Sequence, residues 1–268
     1  MGKFDGVLLA TDFDDTYFPD SSVLPPENLR AVEYFKAQGG IFTVATGRAH
    51  RTFAPFLELA PANAPVVLSN GAQLYDFQKE EMVAETTLAP TIAADLEELA
   101  ARIPQVGLEA YHGEDIYIWN PNPWTRYHLN KAGTGAVECP ISHMPLPWGK
   151  AILHQDHPIL LEAQAYLLSR WSDRYEAIFS NPHMLELTDK GSTKGGMVLR
   201  LARMLGIRRE NLYCVGDNQN DIPMLAVSAI PFAPANCARE VKDWGAVLLP
   251  RCEDGAVARL IEILDQKY

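Results

Sequence analysis

The sequence predicts an α/β protein whose parallel-sheet core is interrupted by an inserted α+β unit. Three observations carry that reading. Continuous apolar runs alternate with helical stretches near the N-terminus, shorter half-exposed strands fill the middle, and the α/β rhythm returns after about residue 190.

Gly6 to Thr11 is an apolar run of the kind that a strand buried on both faces requires. Residues 26 to 38 read as a helix: Pro26 suits its first turn, Leu29, Val32, Tyr34 and Phe35 form a core-facing stripe, and Gly39-Gly40 ends it. Ile41 to Ala45 and Pro65 to Leu68 are further buried strands, with a helix over 49 to 59 between them. After Ser69-Asn70-Gly71, residues 73 to 76 and 82 to 86 read as half-exposed strands, 90 to 103 as an amphipathic helix, and 108 to 111 and 115 to 119 as antiparallel strands. A helix near 158 to 171 and strands near 175 to 179 and 183 to 188 complete the middle. The core resumes with a helix over 194 to 205, a strand at 212 to 215, a helix over 218 to 227, strands at 229 to 232 and 246 to 249, and a last helix from 254. The expected division is therefore 1–82 and 188–268 for the core and 83–187 for the insertion.

Composition narrows the function classes. With 47% hydrophobic and 21% charged residues in 268, the chain can bury a sizeable core, which excludes disorder, collagen and coiled coil. Lys plus Arg is 23 against 34 for Asp plus Glu, so the net charge of −11 argues against nucleic acid and anionic membrane surfaces as partners. An acidic protein that binds a small anion needs a metal or a local cluster of cations. Cys139, Cys214, Cys237 and Cys252 lack the paired short spacing of a zinc site and read as reduced thiols. No run approaches the roughly 18 apolar residues of a membrane helix, and the N-terminal segment has no signal-peptide pattern, so a cytoplasmic location is expected.

The chemistry sits at strand ends. Asp12 and Asp14 follow the first strand two apart, on one side of an extended segment, where open α/β sheets place their ligands. Two such carboxylates repel unless a cation lies between them, and a hard divalent ion such as Mg²⁺ satisfies them while leaving one free to attack phosphorus. Asp217 and Asp221 follow a later strand, four apart at the start of a helix, where both could reach the same cation; Gly216 lets the backbone turn there. Thr46, Gly47 and Arg48 place a hydroxyl, a glycine and a cation at another helix N-terminus, a natural anion site. Lys194 opens a further helix, the unfavourable end for a cation unless an anion is held there.

These four segments, in this order and each beside an apolar strand, resemble the four motifs of the haloacid dehalogenase superfamily of phosphatases and phosphotransferases. Ser69-Asn70-Gly71-Ala72, the insertion site, the Gly-Asp-x-x-Asn-Asp form of the last motif, and Glu253-Asp254-Gly255-Ala256 resemble the Cof-type subfamily with a C2 cap. The resemblance covers residues 4 to 80 and 188 to 268 and implies a Rossmann-like core closed by an inserted cap. It implies that Asp12 is the nucleophile, forming an aspartyl-phosphate, and that Asp14 is the general acid and then base. Thr46 and Lys194 would hold the phosphoryl oxygens, with Gly47, Arg48, Asn70 and Asn220 beside them. Asp12, the Asp14 carbonyl, Asp217 and Asp221 would bind Mg²⁺, Asp221 directly or through water. The family usually has glycine at the position of Asp15, which is expected here to decorate the turn rather than serve the cation.

The implied function is hydrolysis of small phosphorylated metabolites, sugar phosphates first. A phosphomutase with the same chemistry, a receiver-like phosphoacceptor module and a phosphosugar-binding protein without catalysis are the alternatives. Residues 111 to 128 concentrate Tyr111, His112, Tyr117, Trp119, Trp124, Arg126, Tyr127 and His128, which could stack on a sugar ring or pack the insertion.

Overall fold

The computed structural model describes residues 2–268. The chain up to Ala84, with Thr193–Tyr268, forms one compact unit, and Glu85–Ser192 forms a second. The joins lie a few residues beyond 82/83 and 187/188 because strands run through both of those positions.

The first unit begins with β1 (Leu8–Thr11), α1 (Pro26–Ala37), β2 (Ile41–Val44), α2 (His50–Phe53), β3 (Val66–Leu68), β4 (Gln73–Asp76) and β5 (Glu81–Glu85). The second holds α3 (Ile92–Arg102), β6 (Gly107–His112), β7 (Asp115–Trp119), α4 (Pro123–Ala132), β8 (Val137–Glu138), β9 (Lys150–His154), α5 (His157–Trp171), β10 (Tyr175–Asn181) and β11 (Met184–Asp189). The first unit then resumes with α6 (Lys194–Met204), β12 (Leu212–Val215), α7 (Ile222–Leu225), β13 (Pro231–Pro234), α8 (Arg239–Trp244), β14 (Val247–Leu249) and α9 (Ala256–Lys267).

The core sheet has the order β14-β13-β12-β1-β2 and is parallel throughout. Alternation along β1 feeds both faces: Leu9 packs with Val32 and Phe35 of α1 and Leu260 and Ile261 of α9, whereas Leu8 and Ala10 pack with Val198 and Leu201 of α6 and Val241 of α8. Thr11 is in register with both Val44 and Val215, so the carboxyl ends of β1, β2 and β12 are flush. Residues that follow these three strands emerge at one edge. Beyond β2, a bridge from Ala45 to Val67 attaches β3, which continues into an antiparallel ribbon with β4 and β5.

In the second unit the sheet order is β10-β11-β9-β6-β7-β8, antiparallel except between β7 and β8. One face packs Leu108, Ala110, Leu153, Leu185 and Leu187 against Leu96 and Leu99 of α3 and Leu160 and Leu167 of α5. The other carries Tyr111, Ile116, Ile118 and Ile152, against which Leu129 of α4 packs.

Several elements depart from the expectation. The helix expected over 49 to 59 is cut to α2 and a 3₁₀ turn at Ala54–Phe56, since Pro55 has no N–H to continue the ladder. That over 218 to 227 becomes a 3₁₀ turn at Gln219–Asp221 followed by α7, with Pro223 in its first turn. The strand at 229 to 232 moves to Pro231–Pro234, where Pro231 takes the first position, the one that tolerates a missing donor. Central strand β9 has no counterpart in the sequence reading, because its apolar stretch is only Ala151-Ile152-Leu153 between Lys150 and His154. Helix α4 was likewise unread, although Asn122 and Thr125 form a capping box, Pro123 starts it and left-handed Gly133 ends it. Short α8, closed by Gly245 at φ +102°, and the two-residue strand β8 are further additions. All four cysteines are unpaired, and no helix among the described residues is long and apolar enough to cross a membrane.

Candidate active site

The flush carboxyl edge gathers the acidic residues as the sequence suggested. Asp12 is buried, its backbone N–H donating to the Val215 carbonyl, so the end of β1 is tied to that of β12. From the N-terminus of α6, Lys194 reaches across with its Nζ 2.6 Å from Asp12 Oδ1 and 2.7 Å from Asp221 Oδ1, and only 2% of its side chain is exposed. The anions that offset this cation at a helix start are therefore the two carboxylates themselves.

Gly195 and Gly216 make this approach possible. A Cβ on Gly195 would meet the Pro223 carbonyl at 2.0 Å, and one on Gly216 would meet the Asp221 carboxyl carbon at 2.4 Å. Gly216 is thus required for room rather than for the sharp turn read from the sequence. Asp221 Oδ2 accepts the backbone N–H groups of Asp217 and Asn218 at 2.9 and 3.0 Å, which fixes the loop after β12. With both oxygens engaged, Asp221 serves as loop cap and charge partner.

Thr16, to which the sequence reading gave no role, completes the group. Its hydroxyl donates to Asp217 Oδ1 at 2.9 Å, with Asp12 Oδ2 at 3.2 Å. Thr16 is wholly buried four residues after Asp12, and its place between Asp15 and Tyr17 gives no sign of that in the sequence. Asp12, Asp217 and Asp221 each offer an oxygen within 4.8 Å of the others'. Burial, reinforced by the charge of Asp221, pushes the Asp12 carboxyl up to about 7 despite the pull of Lys194. Burial and the charges of Asp12 and Asp221 hold Asp217 well above the usual carboxylate range. Burial also opposes the charge on Lys194, but the two carboxylates outweigh it and keep the ammonium more basic than usual. Three crowded acids with one buried ammonium leave negative charge uncompensated, and an all-oxygen donor set of this kind fits a hard divalent cation.

Asp14 lies elsewhere on the edge. Its carboxylate, half-exposed, accepts a fork from Arg48, Nε to Oδ2 at 2.9 Å and Nη2 to Oδ1 at 2.7 Å. The Arg48 guanidinium also sits 4.7 Å from the Phe56 ring centroid and 5.4 Å from that of Phe13. Arg48, expected at the phosphate, is thus engaged by Asp14. Asp15 adopts φ 59°, the left-handed region that favours glycine and that aspartate tolerates, and its carboxylate accepts the backbone N–H of Asp20. That contact is within its own turn, and Asn236, another residue unread in the sequence, anchors the turn by donating to the Asp15 carbonyl.

Thr46, Gly47, Asn70 and Asn220 come together beside this group. The buried Thr46 hydroxyl accepts the Arg48 backbone N–H, and the Thr46 carbonyl accepts that of Asn70. Asn70, at φ 56°, accepts from Asn220 Nδ2 at 3.1 Å, while its own buried Nδ2 has no hydrogen-bond partner among the described residues. A buried amide donor left over beside a threonine hydroxyl suits an anion's oxygens.

In the second unit, the aromatic stretch disperses. Tyr111 is buried, Tyr117 and Trp119 pack at the edge of the core under α3 and α5, and Trp124 stacks on His183 at 3.5 Å. Arg126 and Tyr127 on α4 are exposed.

A parallel sheet whose strand ends gather a buried aspartate, a lysine and further carboxylates has the positioned charges that phosphoryl transfer needs. Residues 9–261 match the profile of the haloacid dehalogenase-like hydrolases, and the chain belongs to that family. It is similar to the 5-amino-6-(5-phospho-D-ribitylamino)uracil phosphatase YwtE of Bacillus subtilis, 24% identical with 96% of this chain and 97% of that one covered. It is also similar to the pyridoxal phosphate phosphatase YbhA of Escherichia coli, 22% identical with 95% and 97% covered. The solved structure of BT4131, described as a subclass IIB sugar phosphatase of the superfamily, shares the fold, with a TM-score of 0.85, 18% identity and coverage of 97% and 99%.

Proposed function

We propose that this protein is a Mg²⁺-dependent phosphatase of small phosphorylated metabolites, sugar phosphates foremost, acting through a covalent aspartyl-phosphate on Asp12. The observation that carries the reading is the setting of the Asp12 carboxylate, buried at the flush sheet edge with the Lys194 ammonium at 2.6 Å and Asp217 and Asp221 beside it. The relatives' names, which specify pyridoxal phosphate, a phosphoribitylamino compound and a sugar phosphate, support a small phosphorylated substrate.

In the first step an oxygen of Asp12 attacks phosphorus, the ester P–O bond breaks, and its electron pair leaves on the alcohol oxygen, which takes a proton from Asp14. In the second, water attacks the same phosphorus and gives a proton to Asp14. The Asp12–phosphorus bond breaks, inorganic phosphate leaves, and Asp12 is restored. Lys194 offsets the charge on the transferring oxygens, and Thr46 and Asn70 supply donors to them. Because Arg48 holds Asp14 by both oxygens, Asp14 reaches the leaving group only when that fork opens. Asp12 and Asp217, with Asp221 beside them, would hold Mg²⁺, which would supply charge neutralisation at the phosphoryl group.

The test is phosphate release from a generic aryl phosphate and from a panel of phosphorylated metabolites. Chelation abolishes release and Mg²⁺ restores it, and sugar phosphates are the preferred members of the panel. Full activity in excess chelator contradicts the metal, and a panel on which sugar phosphates turn over no faster than the aryl compound contradicts the substrate class.

A further inference from the structure

The second unit contains a polar cluster that phosphoryl transfer does not use. Glu109 on β6, His154 on β9 and His128 on α4 place one ligand atom each within 4.8 Å of one another. Glu109 pairs with Ile152 across the sheet, and His154 lies two residues further along β9, so both side chains leave the same face. Glu109 and His154 are wholly buried, and His128 is about a quarter exposed at 24%.

The contacts within the cluster are not those of a closed hydrogen-bond network. His128 Nδ1 lies 3.0 and 3.1 Å from the two Glu109 oxygens, and the Tyr111 hydroxyl donates to Glu109 Oε2 at 2.8 Å. His154 Nε2 is 3.0 Å from Glu109 Oε1, yet neither ring nitrogen of His154 has a hydrogen-bond partner among the described residues. At that distance the failure is one of direction: a proton on Nε2 would not point at the carboxylate. A wholly buried imidazole without an aligned partner is costly, and a simple Glu–His ion pair would align it. Ligands of one metal ion behave differently, because their lone pairs converge on a third point and not on each other. With metal–ligand bonds of about 2.0 to 2.2 Å at tetrahedral angles, neighbouring ligand atoms stand roughly 3.3 to 3.6 Å apart, a few tenths of an ångström wider than the separation of His154 and Glu109, so a bound ion would spread the pair slightly.

The surroundings hold the three residues in place. Asn122, the N-cap of α4, donates to the His154 carbonyl at 2.6 Å, tying the start of the helix to β9. Gly107 lets α4 approach β6, since a Cβ there would meet Thr125 Oγ1 at 2.5 Å. Tyr111 orients the carboxylate from outside the ligand set, as hydrogen bonds to metal-binding carboxylates do.

We propose that Glu109, His128 and His154 bind a divalent transition-metal ion, with Zn²⁺ the best fit, in the inserted unit. Two imidazoles and one carboxylate are a borderline donor set that selects Zn²⁺-like ions over Mg²⁺, in contrast to the all-oxygen group of the core. The exposed edge of His128 is the route of entry, and a water completes four-coordination. Such a site would clamp α4 to the sheet that carries Glu109 and His154.

Equilibrium dialysis of the full chain against Zn²⁺ in a large excess of Mg²⁺ tests this, with Co²⁺ absorption as the signature of nitrogen ligation. One tightly held Zn²⁺ per chain is expected, together with a higher melting temperature. Tyr111→Phe weakens binding about 10-fold to 100-fold, and His128→Ala by more. Glu109→Gln removes the site; should that buried variant fail to fold, His128→Ala, at a partly exposed position, carries the decision. Absence of Zn²⁺ binding under excess Mg²⁺, or binding unchanged in folded His128→Ala, overturns the proposal.

Discussion

At the edge of the core sheet, polar groups arrive by loop: Asp12 follows β1, Thr46 follows β2, Asp217 follows β12, and flush strand ends bring them together. On the face of the inserted sheet they arrive from within strands, with Glu109, Lys150, His154 and Glu186 all buried and projecting between apolar neighbours. A loop can turn its side chain toward the partner it needs, whereas an in-strand carboxylate is fixed by the pleat and must find its partner on the neighbouring strand, opposite or diagonal, or on a covering helix. Glu186 does so with Lys150 at 3.1 Å, and Glu109 does so with His128. Sheet edges therefore suit chemistry with a changing substrate, and sheet faces suit fixed pairings.

Substitution at the edge should have the largest effect. Asp12→Asn removes the attacking oxygen and is expected to lower turnover by on the order of 10⁴-fold or more, read as phosphate release. Near-native turnover would assign the edge a different nucleophile. Lys194→Met takes the ammonium from between two buried carboxylates, and breaking a buried pair in this way costs about 3 to 5 kcal/mol. The loss is expected in calorimetry of the metal-free protein at neutral pH and should shrink at low pH, where the acids neutralise themselves. A loss independent of pH would mean that Lys194 acts through packing.

The same crowding predicts an uncommon pH profile. Asp12 rises from 3.8 to about 7 on folding, so between those values the folded protein keeps a proton that the unfolded chain has lost. The contribution of Asp12 to the stability of the metal-free protein then falls as pH rises from about 4 to 7, the raised Asp217 acts in the same direction, and saturating Mg²⁺ flattens the slope. A melting temperature that climbs over this interval would contradict the assignment. The smallest effect is at Arg48, whose partner Asp14 is half-exposed: Arg48→Ala should change stability by less than about 1 kcal/mol while altering the rate at which the leaving group is protonated. A large stability loss there would place the Arg48 fork among the structural pairings.

This difference between edge and face also explains what could be read in advance. Each edge residue comes directly after an apolar strand, so Asp12, Asp14, Thr46, Asp217 and Asp221 were visible as strand-terminal polar groups, and Lys194 as a cation at the wrong end of a helix. Thr16 and Asn236 were not, because their roles depend on loops meeting across the edge. Arg48 was read as a phosphate ligand, and no local pattern reveals that it also pairs with Asp14, 34 positions away. In the insertion, Glu109, His128 and His154 are scattered over three elements, two of which, α4 and β9, were themselves unread. Strand β9 has too short an apolar stretch to signal itself, and the aromatic residues around α4 masked the capping box that starts it.

The chemistry proposed for the sheet edge rests on Asp12 carrying the phosphoryl group. Acid-quenching the Mg²⁺-loaded protein during turnover of a phosphorylated substrate, followed by peptide mass mapping, tests it directly. A phosphoryl adduct is expected on the peptide containing Asp12 and none in Asp12→Asn, whose turnover is lost as well. An adduct on another residue, or undiminished turnover in Asp12→Asn, would contradict it.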